Sequence, residues 1–384
     1  MKRVGLCTCY DNHNYGSMLQ ALATQIIIIE QGYICEIIRY EKKYTLWFII
    51  KSIPRLFNPL LVSRKLRKIK RDILVKKHPE IMVMHKQRKE LLNSFCKTHF
   101  TSLSPVLQGY AHLVDYAERY DAVVVGSDQL WLPSGLASKF YTLMFVPDHV
   151  QKVSYATSFG VSKIPFFQIR RTREYLRRIN CISVREIRGK EIIEELTGRT
   201  AAVAADPTLL LGAVEWEAVF QARTIVEGPY ILCYFLGTNI EHRKAVIELG
   251  AKTGCKTVSL PFMNEFNKVD VDFGDEQLYN IAPGDFINLV RGAQYICTDS
   301  FHGTIFSILH HKQFIVFNRY QEGAKYSRNS RIDSLCTRLQ IEERRYNQDI
   351  VTEMQREIDY ETIDRLVEEF RRESLEFLCN ALSG

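Results

Sequence analysis

The feature that most constrains the fold of this chain is a repeated order of short apolar runs, polar residues and helical segments. Residues 3–9 form an apolar run, "DNHNYGS" is polar, and "MLQALATQIIIIEQG" has the pattern of a helix that ends near Gly32. The run "ICEIIRY" follows it. A strand, a helix and another strand in this order predict parallel strands with helices on the faces of the sheet.

The same order recurs along most of the chain. In the first half it occurs in "YDAVVVGSDQLW", "KVSYATSFGV" and "CISVREIRGK", and "AAVAADPTLLL" closes this half with Pro207 as a stop signal. In the second half, "YILCYFLG", "KTVSLPF", "QYICTDS" and "QFIVFN" are predicted strands separated by helical segments. We therefore predict an α/β fold of two facing Rossmann-like domains, residues 1–212 and 213–345, followed by a helical tail over 346–384.

One segment interrupts this order. Residues 45–100 are aromatic, basic and helical in pattern, and we interpret them as an insertion in the first domain. The chain has a net charge of +7, and fourteen lysines and arginines lie between Lys51 and Lys97 against three acidic residues. Because the excess charge is local, it predicts a local function and argues against a nucleic-acid-binding protein.

The insertion has the composition of an interfacial anchor. Its apolar run "LWFII" is too short to span a bilayer and is followed by dense positive charge. We predict that residues 45–78 bind an anionic membrane surface; the alternative is a helical hairpin that caps the first domain. The N-terminus has the pattern of a strand rather than a signal peptide, and the ten cysteines lack metal-ligand spacing. These features predict a cytoplasmic protein, peripheral on the inner face of the cytoplasmic membrane.

Polar side chains follow the predicted strands of the first half, where parallel sheets bind ligands. The residues ahead of the first helix suit an anion or sugar hydroxyls, or else Asn14 or Ser17 simply caps the helix. Ser127, Asp128 and Gln129 precede Trp131, which suits a sugar stacked on the indole; the alternative is a turn and a core tryptophan. The candidate acceptor-binding residues are Asn12, Asn14, Tyr15, Gly16, Ser127, Gln129, Trp131 and Ser158.

Positive and titratable side chains follow two further strands. Arg185 and Arg188 come after "CISV" and suit a bidentate grip on phosphate or carboxylate, unless they only begin a solvated helix. Arg328 and Arg331 add positive charge from the second half or lie in an exposed loop. His302 follows the strand "QYICTDS", where Asp299 is close enough to orient it, and histidine is the usual proton carrier near neutral pH.

Six of these stretches together resemble the polysaccharide pyruvyl transferase family. They are, in chain order, "HNYGSMLQALATQ", "YDAVVVGSDQLW", "SYATSFG", "ISVREIRG", "DPTLLL" and "TDSFHGTIFSI". The resemblance covers about residues 4–345 apart from the insertion. It implies a glycosyltransferase-B-like (GT-B-like) architecture and transfer of a pyruvyl group from phosphoenolpyruvate to sugar hydroxyls as a ketal. It also implies that His302 is the catalytic histidine and that Arg185 binds the donor.

This chain departs from some relatives, which have Arg–Leu where it has Ser300–Phe301. One donor-binding cation is therefore expected elsewhere, and Arg188 or Arg328 are the candidates. The predicted donor-binding residues are Arg185, Arg188, Ser300, Phe301, Gly303, Thr304 and Arg328.

The predicted chemistry needs a proton donor and a proton acceptor. His302 protonates the methylene carbon of phosphoenolpyruvate, and Asp128 or Asp299 takes a proton from the acceptor hydroxyl. No redox cofactor or metal is required, and a loosely bound Mg²⁺ is compatible with the scheme. The acceptor is expected to be a lipid-diphosphate-linked saccharide of a bacterial surface or capsular polysaccharide.

Two other functions fit the same pattern. One is a glycosyltransferase of the same architecture that uses a nucleotide sugar and releases the nucleotide. The other is a non-catalytic, membrane-associated carbohydrate-binding subunit, which would bind glycan without turnover in the presence of phosphoenolpyruvate.

Overall fold

A computed structural model of the chain describes residues 1–42, 66, 69, 73, 78–136, 139–262, 267–320 and 329–384. Most of the predicted membrane-binding segment, residues 45–78, lies outside the described residues, and so does Arg328. The predicted helical character of the insertion is confirmed for its last part, which forms one helix, Pro79–His99.

The first half of the chain forms a parallel sheet and a separate two-stranded pair. The strands are β1 (Arg3–Cys7), β2 (Ile34–Ile37), β3 (Tyr40–Glu41), β4 (Leu107–Gln108), β5 (Ala122–Asp128), β6 (Gln151–Thr157), β7 (Cys181–Val184) and β8 (Ala202–Val203). The sheet has the order β2-β1-β5-β6-β7-β8, and β3 pairs with β4. The first six residues of β5 are buried, as expected of a parallel strand covered on both faces.

Six helices of the described residues accompany this half, and a seventh, α7, leads into the second half. They are α1 (Tyr15–Glu30), α2 (Pro79–His99), α3 (Tyr110–Ala117), α4 (Ile169–Arg178), α5 (Ile187–Thr197), α6 (Pro207–Leu210) and α7 (Ala213–Val219). The prediction that Pro207 ends an element is wrong, because Pro207 begins α6. Asp206 caps this helix by accepting a hydrogen bond from the Thr208 amide, and proline is well tolerated in a first helical turn, where its missing N–H has no helical partner.

The second half of the chain forms another parallel sheet, with the order β11-β10-β9-β12-β13. Its strands are β9 (Tyr230–Tyr234), β10 (Lys256–Ser259), β11 (Glu276–Gln277), β12 (Tyr295–Thr298) and β13 (Gln313–Val316). The helices are α8 (Ile240–Thr253), α9 (Pro283–Gly292), α10 (Phe301–Leu309), α11 (Ser330–Leu339), α12 (Ile350–Gln355) and α13 (Tyr360–Ser383). The predicted α/β class with two Rossmann-like units is confirmed; the residue boundaries of the domains stay a prediction.

The last helix returns to the first sheet. The Ala205 amide donates to Ser374 Oγ at 2.9 Å, and Gln151 Nε2 donates to the Ala381 carbonyl at 3.3 Å. Lys2 Nζ reaches the Ser383 carbonyl at 2.9 Å. The two ends of the chain are therefore held together on the first sheet, although the residues just before α13 follow the second sheet.

Helix α2 contacts both halves of the molecule. Asn93 Oδ1 lies 3.0 Å from His13 Nε2 of the first half, and the Asn280 amide of the second half donates to Gln87 Oε1 at 2.6 Å. The ring of Phe95 stacks on Phe220 with centroids 5.9 Å apart. Among the described residues, α2 thus supports the structural interpretation of the insertion. Every helix in the described part of the chain is too short or too polar to span a bilayer.

Candidate active site

The N-termini of two helices from opposite halves of the chain meet at the candidate site. Asn14 caps α1 by accepting from the Ser17 amide, and Ser300 caps α10 by accepting from the Gly303 amide at 3.3 Å. A Cβ added to Gly16 would overlap the His302 imidazole at Nδ1, so the ring lies directly against the first turn of α1. Both N-termini carry partial positive charge, which favours an anion between them.

An arginine and two aspartates connect three strand ends of the first sheet. Arg185 follows β7, and its Nη1 donates to Asp206 Oδ2 at 2.5 Å. Its Nη2 lies 3.4 Å from Oδ1 of Asp128, the last residue of β5. Asp128 also accepts from Ser17 Oγ at 2.6 Å. The site is therefore an ordered ionic network in which Arg185 fixes two carboxylates.

His302 is placed beside the more deeply buried carboxylate. Its Nε2 lies 3.6 Å from Asp206 Oδ1, which is an ion-pair distance but too long for a good hydrogen bond. The Asp206 side chain is 0% exposed and accepts four hydrogen bonds, from Thr208 N, Thr208 Oγ1, Ser127 Oγ and Arg185. Burial raises the pKa of Asp206, but the positive charges of His302 and Arg185 outweigh burial and hold it well below its usual range. Asp206 is thus an ionised carboxylate next to the His302 ring.

Asp128 differs from Asp206 in its access to the cleft. Its side chain is 17% exposed. Burial raises the pKa of Asp128, yet Arg185 and His302 lower it more, so the net shift is downward. An ionised and partly accessible carboxylate can accept a proton from a bound hydroxyl.

A second arginine, Arg331, lies beside the network without an ion pair to any described residue. Phe301 packs under both cations: Arg185 Cζ is 4.4 Å and Arg331 Cζ 5.8 Å from its ring centroid. Burial, together with the neighbouring Arg185, lowers the pKa of Arg331 to about 9. Among the described residues no hydrogen bond or ion pair holds Arg331, and its buried Nε has no partner. This environment is suited to an anionic ligand, which would supply the missing counter-charge.

Glu186 closes the network on the side of β6. Its Oε1 accepts from Ser158 Oγ at 2.9 Å and from the Phe159 amide at 3.1 Å. Its Oε2 is buried and has no partner among the described residues, and burial raises the pKa of Glu186 above its ordinary value.

The structure brings some of the predicted residues together and leaves others apart. Asp128, Gly16, Arg185, Phe301 and His302 form one group. Asp299 lies next to this group in sequence, but its two oxygens accept from the Leu236 and Gly237 amides at 2.7 and 2.8 Å. Asp299 therefore holds the loop after β9, which makes it a poor candidate for the proton acceptor.

Several predicted acceptor-binding side chains have no free surface for a sugar. Trp131 is 0% exposed, donates to the Tyr141 carbonyl and packs in the core, so the stacking role predicted for it is corrected to that of a core residue. Tyr15 is buried between the halves, stacked on Phe286 at 5.1 Å. Ser127 and Ser158 are also fully buried. They shape the site through Asp206 and Glu186.

The other predicted residues have local partners. Arg188 is paired with Glu191 and Glu195 on the outer side of α5, which does not bring it into the network. Asn12 is exposed and Gln129 is half-buried against Gly160. Thr304 is buried and donates to the Ser300 carbonyl, so it fixes the first turn of α10. Asn14 acts as a helix cap, the alternative considered for it from sequence.

Three site residues were missed from sequence. Asp206 had a usable signal, because aspartate followed by Pro207 and Thr208 is a helix-cap pattern in a strand-end position. Glu186 stood in the same stretch as Arg185 but had no distinct signal. Arg88, on α2, is buried and donates to the Tyr15 hydroxyl at 2.6 Å; nothing in a basic helical segment separates it from its solvated neighbours.

No group of three or more histidine, cysteine, aspartate or glutamate side chains in the described ranges could hold a metal ion. That the reaction requires no metal stays a prediction.

Solved structures of similar fold indicate the structural class to which the chain belongs. Solved structures similar to this chain include an alpha-glucosyltransferase in complex with UDP and DNA, at 10% identity and TM-score 0.51, covering 98% of this chain and 95% of that one. A candidate UDP-N-acetylglucosamine 2-epimerase from Listeria monocytogenes is similar at 12% identity and TM-score 0.50, covering 95% of this chain and 94% of the other. At such low identity these similarities establish the fold alone. The chain has the GT-B fold of two Rossmann-like domains.

The family follows from the sequence itself. The family model described as polysaccharide pyruvyl transferase matches residues 14–320, which include Asp128, Arg185, Asp206 and His302. The chain belongs to the polysaccharide pyruvyl transferase family, and the resemblance seen in its sequence is confirmed. No curated protein matches it in sequence.

Proposed function

We propose that this protein transfers the pyruvyl group of phosphoenolpyruvate to two hydroxyls of a saccharide and forms a cyclic ketal. The observation that carries the proposal is the buried network of His302, Asp206, Arg185 and Asp128 between two helix N-termini. It offers a proton carrier, an accessible carboxylate and positive potential in one place, which is what a trianionic enol phosphate donor requires.

Arg331 is the proposed cation for the donor. Both terminal nitrogens of Arg185 are occupied by Asp206 and Asp128, so Arg185 mainly positions these carboxylates. Arg331 lies against Phe301, and no described carboxylate is within ion-pair distance of it, although Asp128 and Glu186 are near enough to interact with its charge. In this protein Arg331 thereby takes over from the arginine that some relatives carry at the position of Ser300. The N-termini of α1 and α10 add N–H donors for the carboxylate or phosphate.

The proposed reaction balances with the residues of the site. Protonated His302 donates its proton to the methylene carbon of phosphoenolpyruvate, which becomes a methyl group, and the neighbouring carbon becomes cationic. A sugar hydroxyl adds to that carbon and loses its proton to Asp128. The C–O bond to phosphate then breaks, and the second hydroxyl closes the ring while its proton leaves with the phosphate. The proton on Asp128 returns to His302, which restores the starting state.

The acceptor in this proposal is a saccharide carried on a lipid diphosphate, as an intermediate of a bacterial surface or capsular polysaccharide. The proposal includes a cytoplasmic location, peripheral on the inner face of the membrane. Membrane contact through residues 45–78 remains part of it and lies outside the described residues.

The test is incubation of the purified protein with phosphoenolpyruvate and a candidate lipid-linked saccharide. We expect stoichiometric phosphate release and a mass gain of one pyruvic acid less one water on the saccharide, both lost in His302→Gln. Release of UDP from a UDP-sugar, with a hexose added to the acceptor, would favour a glycosyltransferase instead. Saccharide binding without phosphate release from phosphoenolpyruvate would identify a binding subunit. Either result would contradict the proposal.

A further inference from the structure

Two neighbouring phenylalanines stand out on the surface, in the loop between β6 and α4. Phe166 is 85% exposed and Phe167 is 59% exposed. Their rings pack edge to face, with centroids 5.6 Å apart, and a short helical turn over Phe166–Gln168 carries them. Aromatic side chains are costly to leave in water, so an adjacent exposed pair indicates a binding surface.

Positive charge surrounds this pair. Lys163 precedes it, and α4, with the sequence "IRRTREYLRR", follows it directly. The buried face of α4 consists of Thr172, Tyr175 and Leu176, so the charges lie on its outer face. Four exposed cations have no ion pair with an acidic side chain in the described ranges; they are Lys163, Arg170, Arg171 and Arg177.

We propose that Phe166, Phe167, Lys163, Arg170 and Arg171 form a docking surface for an anionic lipid bilayer. The rings enter the boundary between headgroups and acyl chains, and the cations contact the lipid phosphates. This surface differs from residues 45–78 and lies in a part of the chain whose sequence pattern does not predict membrane binding.

The positive charge of the docking surface favours an anionic bilayer over a second copy of the chain. A second copy of the chain docked here around a two-fold axis would bring the same cations face to face, which is repulsive. An anionic bilayer complements both the charge and the aromatic pair.

The loop that carries the docking surface begins at the candidate site. Ser158, whose Oγ donates to Glu186, begins the loop, and Phe166 follows eight residues later, which spans at most about 28 Å. Arg188 Nε donates to the Ser162 carbonyl and anchors the middle of the loop to α5. A cleft of about 570 Å³, lined by Lys163, Ile164, Arg188 and Ile192 among others, opens beside it. A lipid-linked saccharide in the docked membrane would therefore be presented near the strand ends that carry Arg185 and Glu186.

Co-sedimentation of the full-length protein with vesicles tests the inference. Vesicles of phosphatidylglycerol mixed with phosphatidylcholine should bind the protein at low salt, and pure phosphatidylcholine should bind it weakly. We expect Phe166→Ser/Phe167→Ser to weaken binding at least about tenfold, because two rings leave the interface. Arg170→Gln/Arg171→Gln should weaken it by about tenfold or more at low salt and less at high salt.

Matched variants away from the docking surface control for exposed apolar area and charge. Val214→Ser/Ile247→Ser removes two exposed apolar side chains, and Lys252→Gln/Arg372→Gln removes two exposed cations. Neither pair should change vesicle binding. An additional variant, Phe166→Trp, should show tryptophan quenching by brominated lipids above that of the unsubstituted protein.

The inference would be overturned if the Phe166→Ser/Phe167→Ser variant bound vesicles as tightly as the unsubstituted protein, or if Phe166→Trp showed no additional quenching. Any vesicle binding that is observed would then be attributed to residues 45–78. A dimer that the same variant dissociates, without vesicle binding, would overturn it in favour of self-association. The measurements need no phosphoenolpyruvate, so their failure is separate from failure of the proposed function.

Discussion

At the scale of single residues, the site depends on one histidine held between two helix N-termini. Among the described residues, the buried Nε2 of His302 has no hydrogen-bond partner. It lies 3.6 Å from Asp206 Oδ1, with which it forms an ion pair when the ring is protonated. Arg185 is already neutralised by two carboxylates, whereas Arg331 is not. In the proposed mechanism, positioning, proton transfer and anion binding are therefore carried by different side chains.

Replacing His302 should abolish turnover without unfolding the protein. We expect His302→Gln to lower kcat by about 10²–10⁴, because the amide cannot carry the proton to the methylene carbon. Thermal unfolding should shift little. His311→Gln is the matched control, since His311 is half exposed and pairs with Asp364 away from the network. Near-normal phosphate release by His302→Gln would remove this residue from the mechanism.

Replacing Arg331 should act on the donor. Arg331→Gln is expected to raise the KM for phosphoenolpyruvate about 10- to 100-fold, the loss of a charge-assisted contact of about 1.5–3 kcal/mol, with little change in the KM for the acceptor. Arg338→Gln, which removes an arginine of the same helix that pairs with Glu373, should change neither constant. If the acceptor KM rises instead, Arg331 belongs to the acceptor side of the cleft.

The charge of Asp206 should appear in the pH dependence of stability. Asp206→Asn leaves Arg185 without its buried partner and is expected to cost about 3–5 kcal/mol in the free energy of unfolding at neutral pH. The folded-state pKa of Asp206 lies below its unfolded value, so this stabilisation is complete above about pH 4 and is lost as the pH falls toward the folded-state pKa.

Urea unfolding of both proteins at several pH values measures this effect. The stability difference should shrink by about 1.4 kcal/mol per pH unit below about pH 4. Asp364→Asn, at an exposed ion pair with His311, should differ from the unsubstituted protein by less than about 1 kcal/mol throughout. A difference between Asp206→Asn and the unsubstituted protein that does not change with pH would show that the charge of Asp206 is not the source of its stabilisation.

At the scale of elements, the site requires α1 and α10 to meet at their N-termini. Gly16, in the first turn of α1, lacks the Cβ that would occupy the space of the His302 ring. Tyr15 beside it packs across the interface onto Phe286 of α9. Within one helical turn, Gly16 therefore leaves space for the His302 ring, whereas the Tyr15 side chain fills the interface beside Phe286.

Gly16→Ala should displace His302 from the network. The helix itself would tolerate alanine, which has the better helix propensity, so the expected result is a loss of kcat of about 10²-fold or more from misplacement of the proton carrier. Gly135→Ala is the matched control, because Gly135 is exposed and, among the described residues, an added Cβ would touch only the Leu132 carbonyl at 3.4 Å. Full activity in Gly16→Ala would mean that the ring can move without effect on catalysis.

At the scale of the whole molecule, the two sheets are joined by more than the site. Helix α2 contacts Phe220 and Asn280 of the second half, and α13 crosses back to β6 of the first sheet. The largest apolar core contains residues of both halves, such as Leu19 and Phe286. We expect the halves to unfold together rather than independently.

Leu378→Ala in α13 tests this coupling. Leu378 is buried, so its truncation should lower the free energy of unfolding by about 2–5 kcal/mol. Hydrogen exchange should become faster in β6 as well as in α13. Glu376→Ala, two residues away on the exposed face, should change neither quantity. Faster exchange confined to α13 would show that this helix only rests on the first sheet.

The sequence alone determined the order of strands and helices and the residues at the strand ends. Alternating apolar runs and helical patterns reflect local propensity and burial, which neighbouring residues impose on one another. The family motifs around Gly16, Asp128, Arg185 and His302 could be read in the same way, because each lies within one short stretch. The expected α/β class and family were confirmed on this basis.

The tertiary structure decided which of those residues face one another. Asp206 lies far from His302 in the chain, and its sequence pattern does not indicate that the two side chains meet. Trp131 is predicted from sequence to bind a sugar or to lie in the core, and the structure places its ring in the core. Residue type and local order do not specify where a side chain points once another element packs on it. Arg331 becomes buried beside Arg185 only in the folded chain, so its proposed role as the donor cation follows from the fold and not from its motif.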